Sequence, residues 1–421
     1  MGQREVPREL ADELDSQDPL AEFRDRFVIT DPNMIYLDGN SLGRLPAATP
    51  GFLDTLVRDG WGAGLTGSWQ TWIDWGRRLG DRLAEHVLGA RPGEVVLSDS
   101  TSVNVYKLAA AALGATAGRG TIVIDAEDFP TNRYVLQGLA AQRKLTLRTV
   151  RSHIDNGLDL DRLRAALDSD VALIVLSLVS YRCGALLDMA AVNKAAREAG
   201  ALVLWDLSHA VGAVPIQLNA TGADLAVGCT YKYLNGGPGS PAFLYVRTEL
   251  HSVLRQPIWG WFGQCDQFQM GPSYHPVDHV ERFLVGTPPV LSLAAVDPAL
   301  TLIEQAGVAR LRDKGMRLGQ LAVELADSWL TPHRFRLASP KKAEHRGSHV
   351  SFEHPDSWRI CQALALGANV VCNFRTPDRL RIGPSPIYTR FVDVWDAMNR
   401  LRRLVENRDY ERLRPDWTRV T

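Results

Sequence analysis

The sequence lacks a C-x-x-C pair, a charge excess of either sign and an apolar run long enough to cross a membrane, and each absence removes a class of function. Its five cysteines, Cys183, Cys229, Cys265, Cys361 and Cys372, lie far apart. That spacing argues against zinc and thioredoxin-like chemistry and fits a reducing cytoplasm, and no metal site is expected. Lys and Arg total 47 against 48 acids, a formal net charge of -1. No long-range field draws such a chain to nucleic acid or an anionic membrane, so any partner must be recognised locally. The longest apolar run, Val171 to Val179, is under half a membrane span and reads as a buried strand. The first thirty residues are dense in Asp, Glu and Arg and lack the apolar core of a secretory signal. The Met-Gly start fails the myristoylation pattern because position six is Val.

What is present suffices for a large core: 421 residues, 45% hydrophobic and 8% aromatic, with length alone suggesting two or three domains. From about 94 to 250, short β-rich runs alternate with helical periodicity, which predicts an α/β sheet with mainly parallel strands. The candidate strands are 94–98, 121–125, 171–177, 201–206, 224–229 and 241–246. Helical spacing fits 158–167 and 189–200, the latter capped by Gly200. Beyond the prolines at 288 and 289, helical patterns run from about 290 to 328, followed by a shorter αβ mixture. The expected organisation is an N-terminal segment, 1–45, packing on the domains, a large domain, 46–295, and a smaller C-terminal α/β domain, 296–421.

The sharpest local feature is DLAVGCTYKYLNGGPGS, where Lys232 follows a strand and precedes Gly236, Gly237 and Gly239. A buried ammonium is costly unless paired or chemically engaged; alternatively the side chain reaches solvent along its stem. The strand ALVLWD ends in Asp206 and continues to His209 at the carboxyl edge of the same sheet, where open α/β sheets bind ligands. Taken singly, Asp206 could be a helix cap and His209 a hydrogen-bonded turn residue. A lysine able to form a Schiff base and an aspartate able to hold a pyridine nitrogen protonated are together the two groups that pyridoxal phosphate requires. DSTSVNV at 99–105 opens a helix with Thr101 and Ser102, a helix-start anion site or a simple cap. Phe129, in DFPTNRY, is either a stacking ring or core.

With these motifs stand YLDGNSLG at 36–43, FPTN at 129–132, WDLSHAVGAVP at 205–215, GWFG at 260–263, RFLVGTPPVLSL at 282–293, RGSHVSF at 346–352 and RIGPSPIYTRF at 381–391. In this set the chain resembles the kynureninases, fold type I pyridoxal phosphate enzymes of the class V aminotransferase-like group, from about Tyr36 to the C-terminal helix. The resemblance implies hydrolysis of the Cβ–Cγ bond of L-kynurenine to anthranilate and L-alanine, in tryptophan catabolism or NAD biosynthesis. It implies that Lys232 binds the cofactor covalently and acts as base, that Asp206 holds the pyridine nitrogen and that Phe129 stacks on the ring. Thr101, Ser102, Tyr231 and Trp261 are implied at the phosphate, with Ser177, His209 and position 132 as further cofactor contacts. Tyr231 is also the candidate proton relay, with a purely structural phosphate contact as the other reading. Arg381 is implied to bind the substrate α-carboxylate, a task suited to a planar guanidinium. Asn40, Ser41, Trp61 and Thr287 are implied around the substrate, with Trp261 and Thr287 supplied by the partner subunit of a homodimer.

Three departures accompany the resemblance. Asn132 stands where the family carries an acid, Cys183 where Thr is expected, and GPSP at 383–386 replaces a more apolar pattern beside Arg381. Two other readings stay open on the sequence: a related enzyme such as a cysteine desulfurase or β-elimination lyase, and a catalytically silent binding protein of the same fold. With Trp61 and Thr287 in place of polar ring-hydroxyl partners, kynurenine or a ring-alkylated form is expected to be preferred over 3-hydroxykynurenine.

Overall fold

The computed structural model describes residues 6–116 and 118–413. Its large sheet has seven strands: β1 (Val95–Leu97), β2 (Thr121–Asp125), β3 (Thr146–Val150), β4 (Val171–Ser177), β5 (Leu202–Asp206), β6 (Leu225–Gly228) and β7 (Phe243–Val246). They lie in the spatial order β1-β7-β6-β5-β4-β2-β3. The run from β6 to β3 is parallel, and only β7, paired antiparallel with both β1 and β6, opposes the rest. Helices α1 (Thr101–Ala115), α2 (Pro130–Arg143) and α3 (Met189–Ala199) connect successive strands.

Because both faces are covered, the central strands are apolar along their whole length. In β2, Val123 joins the core on one face while Ile122 and Ile124 join the core on the other. The register against β4 slips between Thr121, opposite Val171, and Ile122, opposite Leu173. Ala172 is thus an extra residue, and the bulge lets Val171 and Ile174 face the same core despite their odd spacing.

The strands expected at 121–125 and 171–177 have those bounds, and the other four are one or two residues shorter. Gly200 ends α3 in the left-handed conformation at φ 70°, as a capping glycine should. Strand β3 was not legible. It is the sheet edge, its TLRTV sequence lacks apolar alternation, and only Val150 is buried.

The helical stretch after the prolines resolves into α4 (Val290–Ala306) and α5 (Val308–Trp329), broken at Gly307 with φ 76°. Helix α4 spans the expected boundary at 295/296 and packs on the large-sheet core through Leu293, Leu300 and Ile303. A second, antiparallel sheet contains β8 (Arg336–Leu337), β9 (Val350–Glu353), β10 (Asn373–Arg375) and β11 (Arg379–Ile382), in the order β10-β11-β9-β8. It shares a core with α5 and the last long helix, α6 (Phe391–Glu406). Among the described residues no helix is long and apolar enough to cross a membrane.

The N-terminal segment joins this second core through Ala11, Ile35 and Leu37. Asp15 accepts the backbone N–H groups of Phe391 and Val392, at 2.7 and 3.0 Å, at the start of α6. Ile35–Tyr36 pairs in parallel with Val370–Val371, and Asp38 bridges to Gly383. Lys314 on α5 and Asp18 form an ion pair at 2.6 Å with side chains only 4% and 2% exposed. Burial pushes the lysine ammonium below its ordinary range, with Asp18 opposing that shift. Removing one partner of such a pair strands a buried charge. Lys314→Met is therefore predicted to cost about 3–5 kcal/mol of stability, read as a lower denaturant midpoint, with Asp18→Asn in the same chain recovering part of the loss.

Candidate active site

Parallel strands deliver their carboxyl ends to one edge of the sheet, and ligands bind there. Ser177 closes β4 and Asp206 closes β5, and the two are register partners. Lys232 lies in the turn after β6, Phe129 in the turn after β2, and Thr101 and Ser102 begin α1 after β1. All of these line one cavity of about 560 Å³. Asn132, His209, Tyr231 and Thr287 line it as well, so ten of the residues singled out from the sequence meet in one place.

The Lys232 Nζ is 2.9 Å from His209 Nε2 and lies 6.0 Å from the Phe129 ring centroid. Burial pushes the ammonium below its ordinary range, which favours the neutral amine. Burial and the neighbouring Lys232 push the His209 imidazole well below its own range. A neutral imidazole that accepts at Nε2 carries its hydrogen on Nδ1. That atom is buried and has no partner among the described residues.

Asp206 accepts from the Ser208 backbone N–H at 2.9 Å and from Asn132 Nδ2 at 3.0 Å. On the same cavity wall, the first turn of α1 offers backbone N–H groups and the hydroxyls of Thr101 and Ser102. Asp99 would repel an anion there, but the buried Lys107 neutralises it at 2.6 Å. Amine, carboxylate, anion cradle and an unpartnered imidazole nitrogen are a donor set that fits a phosphorylated pyridine aldehyde.

Beside this cavity lies a second cluster. Arg381 is 1% exposed, and its hydrogen-bond partners are neutral: Asn373 Oδ1 at 2.9 Å, Ser41 Oγ at 2.9 Å and the Tyr181 carbonyl at 2.5 Å. With its amide oxygen turned to the guanidinium, Asn40 adds a contact to Arg381 Nε at 3.0 Å. Burial and Arg375 both press against the Arg381 charge. The cluster adjoins the cavity through Tyr181, whose ring meets Phe129 edge-on at 5.3 Å between centroids. The GNSLG segment closes against the lysine turn: Gly43 donates to the Tyr231 carbonyl at 2.8 Å. A Cβ on Gly43 would collide with the carbonyl of Lys232.

Besides Asn40, Ser41 and Arg381 in the second cluster, two anticipated residues, Trp61 and Trp261, do not line the cavity. Trp61 is 57% exposed and Trp261 is 39% exposed. Trp261 instead belongs to a short turn whose next residue, Phe262, donates to Val285, two positions before Thr287. Thr287 lies on the wall of this chain's own cavity. Of the departures, Gly383 is required because Asn40 fills the space a Cβ would need, and Cys183 is buried.

Sequence reasoning missed Asp128, His349 and Asn373. Asp128 precedes the Phe129 that drew attention, and His349, in RGSHVSF, lies 5.3 Å from His209 between ring centroids. Both sit inside recognisable motifs, so their presence was legible although their contacts were not.

Comparison with known proteins agrees with this geometry. A family model described as the kynureninase C-terminal domain matches residues 311–401. A kynureninase from Pseudomonas fluorescens is 42% identical over 405 residues, covering 94% of this chain and 95% of that protein. A kynureninase from Burkholderia pseudomallei (strain 1106a) is 43% identical over 407 residues, 95% of each chain. Among solved structures, the apo cysteine desulfurase of Thermococcus onnurineus NA1 superposes with a TM-score of 0.78 at 18% identity, over 97% of this chain and 100% of that one. A cysteine desulfurase from Escherichia coli gives 0.77 at 17% identity, over 92% and 98%. The desulfurases share the fold type I architecture alone, whereas the sequence matches extend through both sheets and the residues that line the cavity; the chain belongs to the kynureninase family.

Proposed function

We propose that this chain is a pyridoxal phosphate-dependent kynureninase, which hydrolyses the Cβ–Cγ bond of L-kynurenine or a ring-substituted kynurenine to release an anthranilate and L-alanine. The observation that carries the reading is the buried Lys232 amine, 2.9 Å from a neutral His209, in a cavity that also holds Asp206 and the start of α1. Lys232 would bind the cofactor covalently, Asp206 would hold its ring nitrogen, and Thr101, Ser102 and Tyr231 would hold its phosphate. When bound, pyridoxal phosphate supplies an electron sink that makes the substrate Cα proton acidic.

Lys232 Nζ would take that proton, a role that needs the neutral amine its burial favours. Burial pushes the Tyr231 phenol above its ordinary range, so it keeps its proton at neutral pH and serves as donor at Oη, not as base. Arg381 orients the substrate by its α-carboxylate, which would replace neutral partners such as the Ser41 hydroxyl.

The cytoplasm and a homodimer complete the proposal. Trp259, Phe268 and Met270 are 67%, 67% and 70% exposed, and Trp61 and Leu65 are 57% and 61% exposed. Large aromatic and aliphatic side chains exposed to this degree suit burial against a second copy. Trp61 and Trp261 would then reach the partner's cavity rather than their own.

Lys232→Ala should lower turnover about 1,000-fold or more, while the protein still folds and retains some cofactor through its other contacts. Steady-state assays with absorbance spectra check both parts, and appreciable residual turnover would remove Lys232 from its role. Arg381→Lys keeps the charge but loses the fork. It should raise the KM for kynurenine about tenfold, in line with a lost charge-assisted hydrogen bond, and leave cofactor affinity unchanged; release of cofactor with an unaltered KM contradicts the assignment. For the substrate ring, Trp61 offers a stacking face and one N–H donor, which leaves an added ring hydroxyl poorly partnered. Kynurenine should therefore show a higher kcat/KM than 3-hydroxykynurenine, and Trp61→His with Thr287→Asn should move the ratio toward the hydroxylated compound. Equal efficiencies in the unaltered enzyme refute the preference.

A further inference from the structure

The missing acid at position 132 has a counterpart four residues earlier. Asn132 is 1% exposed, and its Nδ2 donates both to Asp206 Oδ2 at 3.0 Å and to Asp128 Oδ1 at 3.3 Å. An amide nitrogen carries two hydrogens, and the two carboxylates engage both. Asp128 is also buried and accepts from the Phe129 backbone N–H at 2.6 Å, from Ser177 Oγ at 2.6 Å and from the Ser177 backbone N–H at 3.2 Å. With an amide at 132 every one of these neighbours is a donor, so position 128 then calls for a group that only accepts; an amide at 128 would turn N–H groups toward N–H groups unless an acid at 132 received its N–H. Burial, with Asp206 and Asp125 nearby, pushes the Asp128 carboxyl up to about 7, and the hydrogen bonds from Ser177 and the Phe129 backbone oppose that shift.

An acid at 132 would suit this wall only if 128 were not also an acid. With both ionised, three carboxylates would crowd one buried corner, where like charges disfavour one another strongly. One acid and one amide, in either order, satisfies the wall. This chain has the acid at 128 and the amide at 132.

We propose that Asp128 is a positioning residue that supplies, one helical turn earlier, the acid expected at position 132: it anchors Asn132 and Ser177 so that Asp206 is held toward the cofactor's ring nitrogen. The inference rests on the pyridoxal phosphate reading. Asp128 acts through Asn132 and Ser177, both of which line the cavity, and does not itself line it.

The test exchanges the two residues. Apoprotein of the wild type, Asp128→Asn, Asn132→Asp and the double variant is titrated with pyridoxal phosphate. Kd, the absorbance spectrum of the bound cofactor and the melting temperature of each apoprotein are recorded. Each single variant should weaken binding about tenfold, the scale of one lost hydrogen bond to a charged group, and alter the absorbance spectrum. The double variant should return Kd to within about threefold of wild type and restore the spectrum, a coupling that independent sites would not show. If a single variant fails to fold, recovery of both folding and wild-type Kd by the exchange supports the proposal. Wild-type binding and spectrum in Asp128→Asn, or a double variant no better than Asp128→Asn, overturns it. A wild-type protein that binds no pyridoxal phosphate overturns the functional reading itself.

Discussion

Strands that run parallel must all end at the same edge of their sheet, and the site depends on that constraint. From β2 through β6, chain segments more than a hundred residues apart finish side by side. Phe129, Ser177, Asp206 and Lys232 each occupy the turn or last residue after a different strand. No single loop has to fold into a complex shape to build the cavity. Both faces of the sheet are buried by helices, which makes its carboxyl edge the place where polar groups can reach a ligand.

Burial then sets the chemistry. Two basic groups, Lys232 and His209, face each other at 2.9 Å with both pushed toward neutrality. A charged pair of the same sign would be costly there, and a neutral pair leaves an amine able to attack a carbonyl. The guanidinium of Arg381 stays charged because arginine does not lose its proton in proteins. Its hydrogen-bond partners among the described residues are neutral dipoles, with the Asp38 carboxylate acting on it without a direct ion pair.

Much of this was legible because chemistry-bearing residues at strand ends announce themselves. Lys232 and Asp206 terminate apolar runs, and Thr101 opens a helix, so local pattern located them. Asp128 did not stand out, since its meaning depends on Ser177 and Asn132, which only the fold places beside it. Trp61 and Trp261 were legible as motif residues, but their placement away from this chain's cavity leaves no trace in spacing. Strand β3 escaped notice because an exposed edge is under no demand to alternate apolar and polar side chains. The break at Gly307 was hidden inside continuous helical periodicity.

The contact between Arg381 and Ser41 joins residues 340 positions apart. Gly43 lies against the Lys232 turn, and Asp15 caps the helix that begins at Phe391. A ribosome releases these partners in order, at about 5–20 residues per second. The large sheet can assemble once β7 has emerged, but the corner around Arg381 must wait for β11. Ser41 therefore waits roughly 17–70 s for Arg381, and through that interval the chain lacks the corner that only this long-range contact completes.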